Sequence, residues 1–253
     1  MKAPARRMRL QELFARQEFL SAEELCRRLG VSDSTVRRDL MEMESEGLLR
    51  RVHGGAVAVA VQNRDDTLDF RRRATLQHDE KARIGTAAAG LVQDGQTVML
   101  GGGSTVVEVA RNLAARRVQV ITNSVPIAQV FWDSRTVEVT LTGGYLYPRT
   151  GAQLGPICEQ MLASVSADVA VLGVGGISAA GLSDTNALIV GTVRKMIDAA
   201  RRVVVVADHT KFGRDAMVRV YSLDRVETVV SGEELGDPHR AALAARGIRL
   251  VLA

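Results

Sequence analysis

Apolar residues follow two different rhythms along the 253-residue chain. Near the amino terminus they recur at helical spacing: Leu10, Leu13 and Phe14 on one face, Leu25 and Leu29 on a second, Val36, Leu40 and Met43 on a third. From about residue 79 the pattern becomes short apolar run, glycine-rich loop, helix. The runs predict strands at 97–100, 118–122, 137–141, 168–173, 203–207, 226–230 and 248–252. Between several of them lie helical patterns at 105–115, 125–132, 156–165, 190–200 and 238–246, and a charged opening, Asp79-Glu80-Lys81, starts a helix through Val92. "VVVVA" and "VAVLG" are continuous, as strands covered on both faces should be. The expectation is an α/β domain with a mostly parallel sheet, preceded by a small α+β domain.

Punctuation sharpens the amino-terminal part. Ser21-Ala22-Glu23-Glu24 has the form of a capping box, and Gly30 stands where a glycine ends a helix. Only Val31 separates that glycine from Ser32, a second cap, so two helices meet across a tight turn. In the helix that Ser32 opens, Ser34, Arg37, Arg38 and Met41 fall away from the apolar face. Hydroxyls and paired guanidinium groups on the first turns suit a helix entering a major groove; an ordinary solvated arginine pair is the plainer reading. Gly47 is expected to stop this helix. Residues 48–57 then read as a hairpin with a Gly54-Gly55 turn, a wing whose Arg50, Arg51 and His53 can reach phosphates or a minor groove.

Capping box, "VSDSTVRRDLMEME", "GLLRR" and "HGGA" occur in this order and spacing, and together they resemble the amino-terminal domain of DeoR-type bacterial transcriptional regulators. The resemblance implies a winged helix with Ser32, Ser34, Thr35, Arg37 and Arg38 at DNA.

Composition adds limits. Hydrophobic content of 46% permits a full core, and net charge +4 is compatible with nucleic acid. Residues 1–57 carry eleven Lys/Arg against nine Asp/Glu, so placed arginines must carry DNA binding, not bulk charge. That small charge also argues against a DNA-compacting protein. Aromatics at 4% do not support base stacking. Cys26 and Cys158 read as separate thiols in a cytoplasmic protein. Met1–Arg7 is basic but lacks a following apolar stretch, and Ala56–Val61 is too short to span a bilayer. "DFRRR" within 62–73 reads as a solvated linker charge run or short helix, in preference to a DNA contact.

Ligands of parallel α/β sheets sit beyond the carboxyl ends of the strands. There this chain places Gly101-Gly102-Gly103-Ser104-Thr105, Asn123-Ser124, Gly143-Gly144, Gly173-Val174-Gly175-Gly176 and Asp208-His209-Thr210-Lys211. Any one glycine loop taken alone reads as a chain turn, but their convergence with a lysine describes a pocket for a small phosphorylated molecule. Val106 stands where a dinucleotide fingerprint needs its third glycine, no ATPase-type phosphate loop occurs, and the histidines at 53, 78, 209 and 239 form no metal-ligand spacing. No cofactor or metal is expected, and His209 reads as a local hydrogen-bonding group.

"GGGSTV", "TNS", "TGG", "DVAVLGVGGI", "GLSDTN" and "ADHTKFG" resemble the sensor domain of the same DeoR family, similar in fold to ribose-5-phosphate isomerase and CoA transferases. The resemblance implies a winged helix-turn-helix head (1–57), a linker (58–78) and a Rossmann-like sensor (79–253). It also implies a sugar-phosphate or related effector, with Gly103, Ser104 and Thr105 at the phosphate, Lys211 near it, and Asn123, Gly144, Gly175 and Asp184 completing the pocket. The family usually has acids at the positions of Gly101 and Ile189; their loss argues against catalysis. The expected function is a transcriptional regulator, most simply a repressor of carbohydrate genes, acting as a dimer or larger homo-oligomer on a double-stranded operator. The competing reading is a sugar-phosphate isomerase or transferase, whose base must come from Asp184 or Asp208.

Overall fold

The computed structural model describes residues 6, 9–10, 13–14, 19–45, 49–52, 55–58 and 70–253. They form two compact units, one within residues 1–64 and one within 65–253.

In the first unit, β1 (Phe19–Ser21) runs into α1 (Ala22–Leu29), followed by α2 (Asp33–Ser45), β2 (Leu49–Val52) and β3 (Gly55–Ala58). The capping box forms as the sequence predicts: Ser21 accepts a bond from the Glu24 N–H at 3.1 Å. Gly30 ends α1 in the left-handed conformation (φ 65°), donating its N–H to the Cys26 carbonyl at 2.9 Å. A β-carbon would strain that backbone, so glycine fixes the tight turn between the helices. Ser32 sits at the cap position of α2, its carbonyl accepting the Val36 N–H at 3.0 Å. Leu10, Leu13, Phe14, Leu25, Leu29, Val36, Leu40 and Met43 all join one buried cluster with Leu20, Leu49 and Ala56.

The wing needs a correction. Val52 pairs with Gly55, and Gly55 is the first residue of β3, so the turn is not Gly54-Gly55. His53, Gly54 and Gly47 lie outside the described residues. The sequence reading also missed β1, which pairs antiparallel with β3 and makes the sheet three-stranded, in the order β1-β3-β2.

The second unit opens with α3 (Phe70–Thr75) and α4 (His78–Ala89) and continues β4 (Thr97–Leu100), α5 (Ser104–Leu113), β5 (Gln119–Thr122), α6 (Val125–Val130) and β6 (Glu138–Leu141). After a hairpin, β7 (Tyr145–Tyr147) and β8 (Ala152–Leu154), come α7 (Pro156–Ala163), β9 (Ala167–Leu172), β10 (Gly176–Ser178), β11 (Gly181–Asp184) and α8 (Ala187–Ala199). The chain ends with β12 (Ala200–Val206), β13 (Val218–Tyr221), β14 (Thr228–Ser231), α9 (Asp237–Ala244) and β15 (Arg249–Leu252).

Every strand predicted from the apolar runs lies in one seven-stranded sheet, ordered β15-β14-β12-β9-β4-β5-β6. All six pairings in it are parallel. The continuous apolar character has a direct cause. Along β12, Val203 and Val205 enter one core while Val204 and Val206 enter the other. The first core is shared with α7, α8 and α9, the second with α4, α5 and α6. The fold class is therefore the expected one. What escaped prediction are the short antiparallel additions: the β7–β8 hairpin and the sheet β10-β11-β13.

Candidate DNA-reading helix and effector pocket

Helix α2 separates its residues cleanly. Val36 is fully buried, whereas Ser32, Ser34, Arg37, Arg38 and Met41 are exposed and Thr35 is half-buried. The Ser32 hydroxyl lies 3.0 Å from both the Ser34 and the Thr35 hydroxyls, so the three form one polar cluster at the helix start. Arg37 Nε donates to Asp33 Oδ2 at 2.6 Å, an exposed one-turn pair. Such pairs contribute only about 0.3–0.5 kcal/mol, so a phosphate competes for Arg37 readily. Arg50 and Arg51 lie on β2, paired with Val57 and Ala56.

In the second unit, parallel topology places the loops after β4, β5, β6, β9 and β12 at one sheet edge. Neighbouring elements interlock along this edge. Gly101 N–H donates to the Val171 carbonyl (3.1 Å), the Thr142 N–H to the Thr122 carbonyl (3.0 Å), and the Gln153 N–H to the Asn123 carbonyl (2.6 Å). Gly102 packs beside Asn123: a β-carbon built there would stand 3.5 Å from Ala152 Cβ and 3.9 Å from both Asn123 Oδ1 and Ser124 Cβ. Gly103 precedes α5, and Ser104 and Thr105 begin it. Both are buried, and neither hydroxyl has a hydrogen-bond partner among the described residues. Unbonded N–H groups and hydroxyls at a helix start attract an anion.

Two predicted site glycines also have structural duties. Gly144 adopts φ 107°, and a β-carbon there would lie 2.7 Å from the Leu154 carbonyl oxygen. Gly175 donates its N–H to the Ser183 carbonyl at 3.0 Å. Asp184, at the end of β11, accepts from the Thr185 N–H at 2.7 Å.

Lys211 sits on a single 3-10 turn after β12, on the far side of β9 from β4. At about 4.8 Å per strand, that separates the two loops by roughly 10 Å. What fixes this turn was not legible beforehand. Glu80, buried in the first turn of α4, accepts the His209 N–H at 2.7 Å and meets His209 Nδ1 at 2.8 Å. Its neighbour Lys81, equally buried, donates to the Arg73 carbonyl (2.8 Å) and lies 3.9 Å from Asp208 Oδ2. Asp208 in turn accepts the Thr210 N–H at 3.1 Å, the turn-capping duty that competes with service as a base. His209 thus has the local hydrogen-bonding role its sequence context suggests. The signal for the cluster was present, two adjacent charges facing a core, but their partners lie some 130 positions away.

A β-carbon on Gly101 would stand 2.9 Å from Leu172 Cδ2 and 3.5 Å from the Met196 sulfur, so this glycine lies directly against core side chains. Ile189 is partly buried and packs against the same core. Among the described residues there is no group of histidines, cysteines and carboxylates able to hold a metal ion, and no helix long and apolar enough to cross a membrane.

Comparison with known families decides the assignment. The DeoR-like helix-turn-helix domain model matches residues 6–62, and the DeoR C terminal sensor domain model matches residues 76–233. The chain belongs to the DeoR family. The HTH-type transcriptional regulator GlpR of Haloferax volcanii is 32% identical over 248 residues, covering 97% of this chain and 96% of that protein. The transcriptional repressor AccR of Agrobacterium fabrum is 33% identical over 229 residues (89% and 88%), and the glycerol-3-phosphate regulon repressor of Escherichia coli 32% over 231 residues (90% of each). The ribose 5-phosphate isomerase A structure from Methanocaldococcus jannaschii aligns with a TM-score of 0.40 and 19% identity, over 53% of this chain and 54% of that one. These DeoR-family relatives are named as regulators and repressors of transcription, not as enzymes, and this chain is a DNA-binding transcriptional regulator.

Proposed function

We propose that this DeoR-family chain is a repressor of carbohydrate-metabolism genes, released from or locked onto its operator by a small phosphorylated metabolite. The observation that carries the effector reading is the start of α5, where buried Ser104 and Thr105 present unbonded hydroxyls beside Gly103. Gly103, Ser104 and Thr105 hold the phosphate there, and Lys211 supplies a cation. Asn123, Gly144, Gly175 and Asp184 line the rest of the pocket. The exposed face of α2 reads the operator: Ser32, Ser34, Thr35, Arg37 and Arg38 meet the major groove, and Arg50, Arg51 and His53 the flanking backbone or minor groove. In this reading the head spans residues 1–57, the linker 58–78 and the sensor 79–253. A homodimer or tetramer presents paired heads to repeated half-sites. Coupling of about 1–3 kcal/mol between effector and operator is enough to change occupancy severalfold or more.

The name of the Escherichia coli relative, a glycerol-3-phosphate regulon repressor, supports a phosphorylated polyol as effector class. A thermal-shift screen of the full chain against sugar and polyol phosphates tests it, because a ligand of the native state raises the melting temperature. A dose-dependent rise, together with an effector-dependent change in operator affinity, is expected. No rise with any phosphorylated compound overturns the effector reading. Turnover of pentose or hexose phosphates by the purified chain revives the enzyme alternative.

A further inference from the structure

Two buried side-chain oxygens at this sheet edge, Ser231 Oγ at the end of β14 and Asn123 Oδ1 after β5, have no hydrogen-bond partner, and the second lies in the loop cluster before α5. Asn123 is only 4% exposed, and its Oδ1 has no hydrogen-bond partner. Its Nδ2 donates to the Gln153 carbonyl at 3.0 Å, which fixes the amide and commits the oxygen to the other side. That side is the space in front of Gly102, 3.9 Å from where a β-carbon would stand. Leaving a buried acceptor unbonded forfeits its bond to water with nothing in return, so the site is built for a donor.

Position says which donor. Gly102 is two residues before Ser104, so their Cα atoms lie within about 7 Å. A phosphate seated on the start of α5 can therefore extend a neighbouring hydroxyl to Asn123. Gly101 carries no side chain and faces Leu172 and Met196, and Ile189 packs into the core. A neutral amide oxygen stands ready in the same loop cluster.

We infer that Asn123 Oδ1 is the hydroxyl-reading acceptor of the effector pocket, and that the effector is a polyol phosphate whose hydroxyl near the phosphate end donates to it. This rests on the phosphate-site reading above. Ligands with the phosphate but without that hydroxyl leave Oδ1 unpaired and are rejected on that ground.

The test is calorimetry on the full chain with matched probes: glycerol 3-phosphate against n-propyl phosphate, and ribose 5-phosphate against n-pentyl phosphate, with inorganic phosphate as the anion alone. In the wild-type protein at least one polyol phosphate is expected to bind about tenfold or more tightly than its hydroxyl-free partner, the worth of one net hydrogen bond. Asn123→Leu is expected to bring that ratio close to one. Gly102→Ala is a second variant that needs no backbone strain and meets its neighbours at ordinary contact distances; its methyl group occupies the space before Oδ1, and the same loss of discrimination is expected. An unchanged ratio in either folded variant overturns the assignment, a buried water then being the partner of Oδ1. Equal wild-type binding within both pairs overturns it too while leaving the phosphate site intact. Absence of binding by all five probes overturns both readings.

Discussion

Arg6 and Asp39 form a two-pronged ion pair that ties Arg6 to α2. Arg6 Nη2 donates to Asp39 Oδ1 at 2.9 Å and Nε to Oδ2, with both side chains about nine-tenths buried. Asp39 follows Arg38, so the pair anchors the helix beside its exposed arginines. Arg6→Ala or Asp39→Ala is expected to speed amide exchange along Asp33–Ser45 and to lower the melting temperature. Arg6→Lys should rescue poorly, because an ammonium cannot make the forked contact. Hydrogen exchange on the full chain checks this; unchanged protection in the Ala variants would assign the pair no structural weight.

Arg37→Ala and Arg38→Ala should each weaken operator binding by about 1–3 kcal/mol with the head still folded. If the lost contact is to a phosphate, the salt dependence of binding should fall by about one counterion. Anisotropy titrations on sites selected with the wild-type protein, at several salt concentrations, measure both. Wild-type affinity in either variant would remove that arginine from the interface.

At the other end, Ser104→Ala and Lys211→Ala are expected to shift the effector titration to about tenfold higher concentration or beyond, the loss of one charge-assisted bond. Calorimetry reads this directly. Unaltered affinity in both would vacate the proposed phosphate site.

Glu80→Ala removes an acceptor that grips His209 twice. Leaving those groups without their buried partner should cost about 1–3 kcal/mol and loosen the turn bearing Lys211. Denaturant unfolding gives the first quantity, and exchange of the 208–212 amides the second. A loss of stability without faster exchange at that turn would show the cluster to be only a packing feature.

Burial raises the pKa of the Cys158 thiol, while its contact with Thr142 at 3.2 Å works the other way. The native state therefore prefers the protonated form. Its contribution to stability is complete below the free-thiol pKa of about 8.5 and is lost as pH rises through the higher folded value. Against wild type, Cys158→Ala should flatten the alkaline fall in stability. Half-buried Cys26 should react with a thiol reagent first, and Cys158 only on unfolding. Equal labelling rates for both cysteines in the native protein would contradict this.

The large sheet was legible because β-branched runs such as Val203–Val206 need cover on both faces, and parallel strands of that kind declare themselves locally. The helix-turn-helix was legible through Ser21, Gly30 and Ser32, whose conformational preferences act within one turn. The β10–β11 strands were not, because Gly176–Ser178 and Gly181–Asp184 mix glycine and polar residues with a single apolar side chain each and offer no apolar run, and the β7–β8 hairpin was missed likewise. The site divides the same way. Ser104 and Thr105 follow from a strand-loop-helix pattern, whereas the grip of Glu80 on His209 and the unpaired oxygen of Asn123 depend on partners distant in sequence or absent from it.

Gly101 ties the floor of the loop cluster to the interior. A β-carbon there would stand 2.9 Å from Leu172 Cδ2 and 3.5 Å from the Met196 sulfur, so any larger residue displaces the end of the Leu172 side chain, and a change made in the loop is felt in the core beneath it.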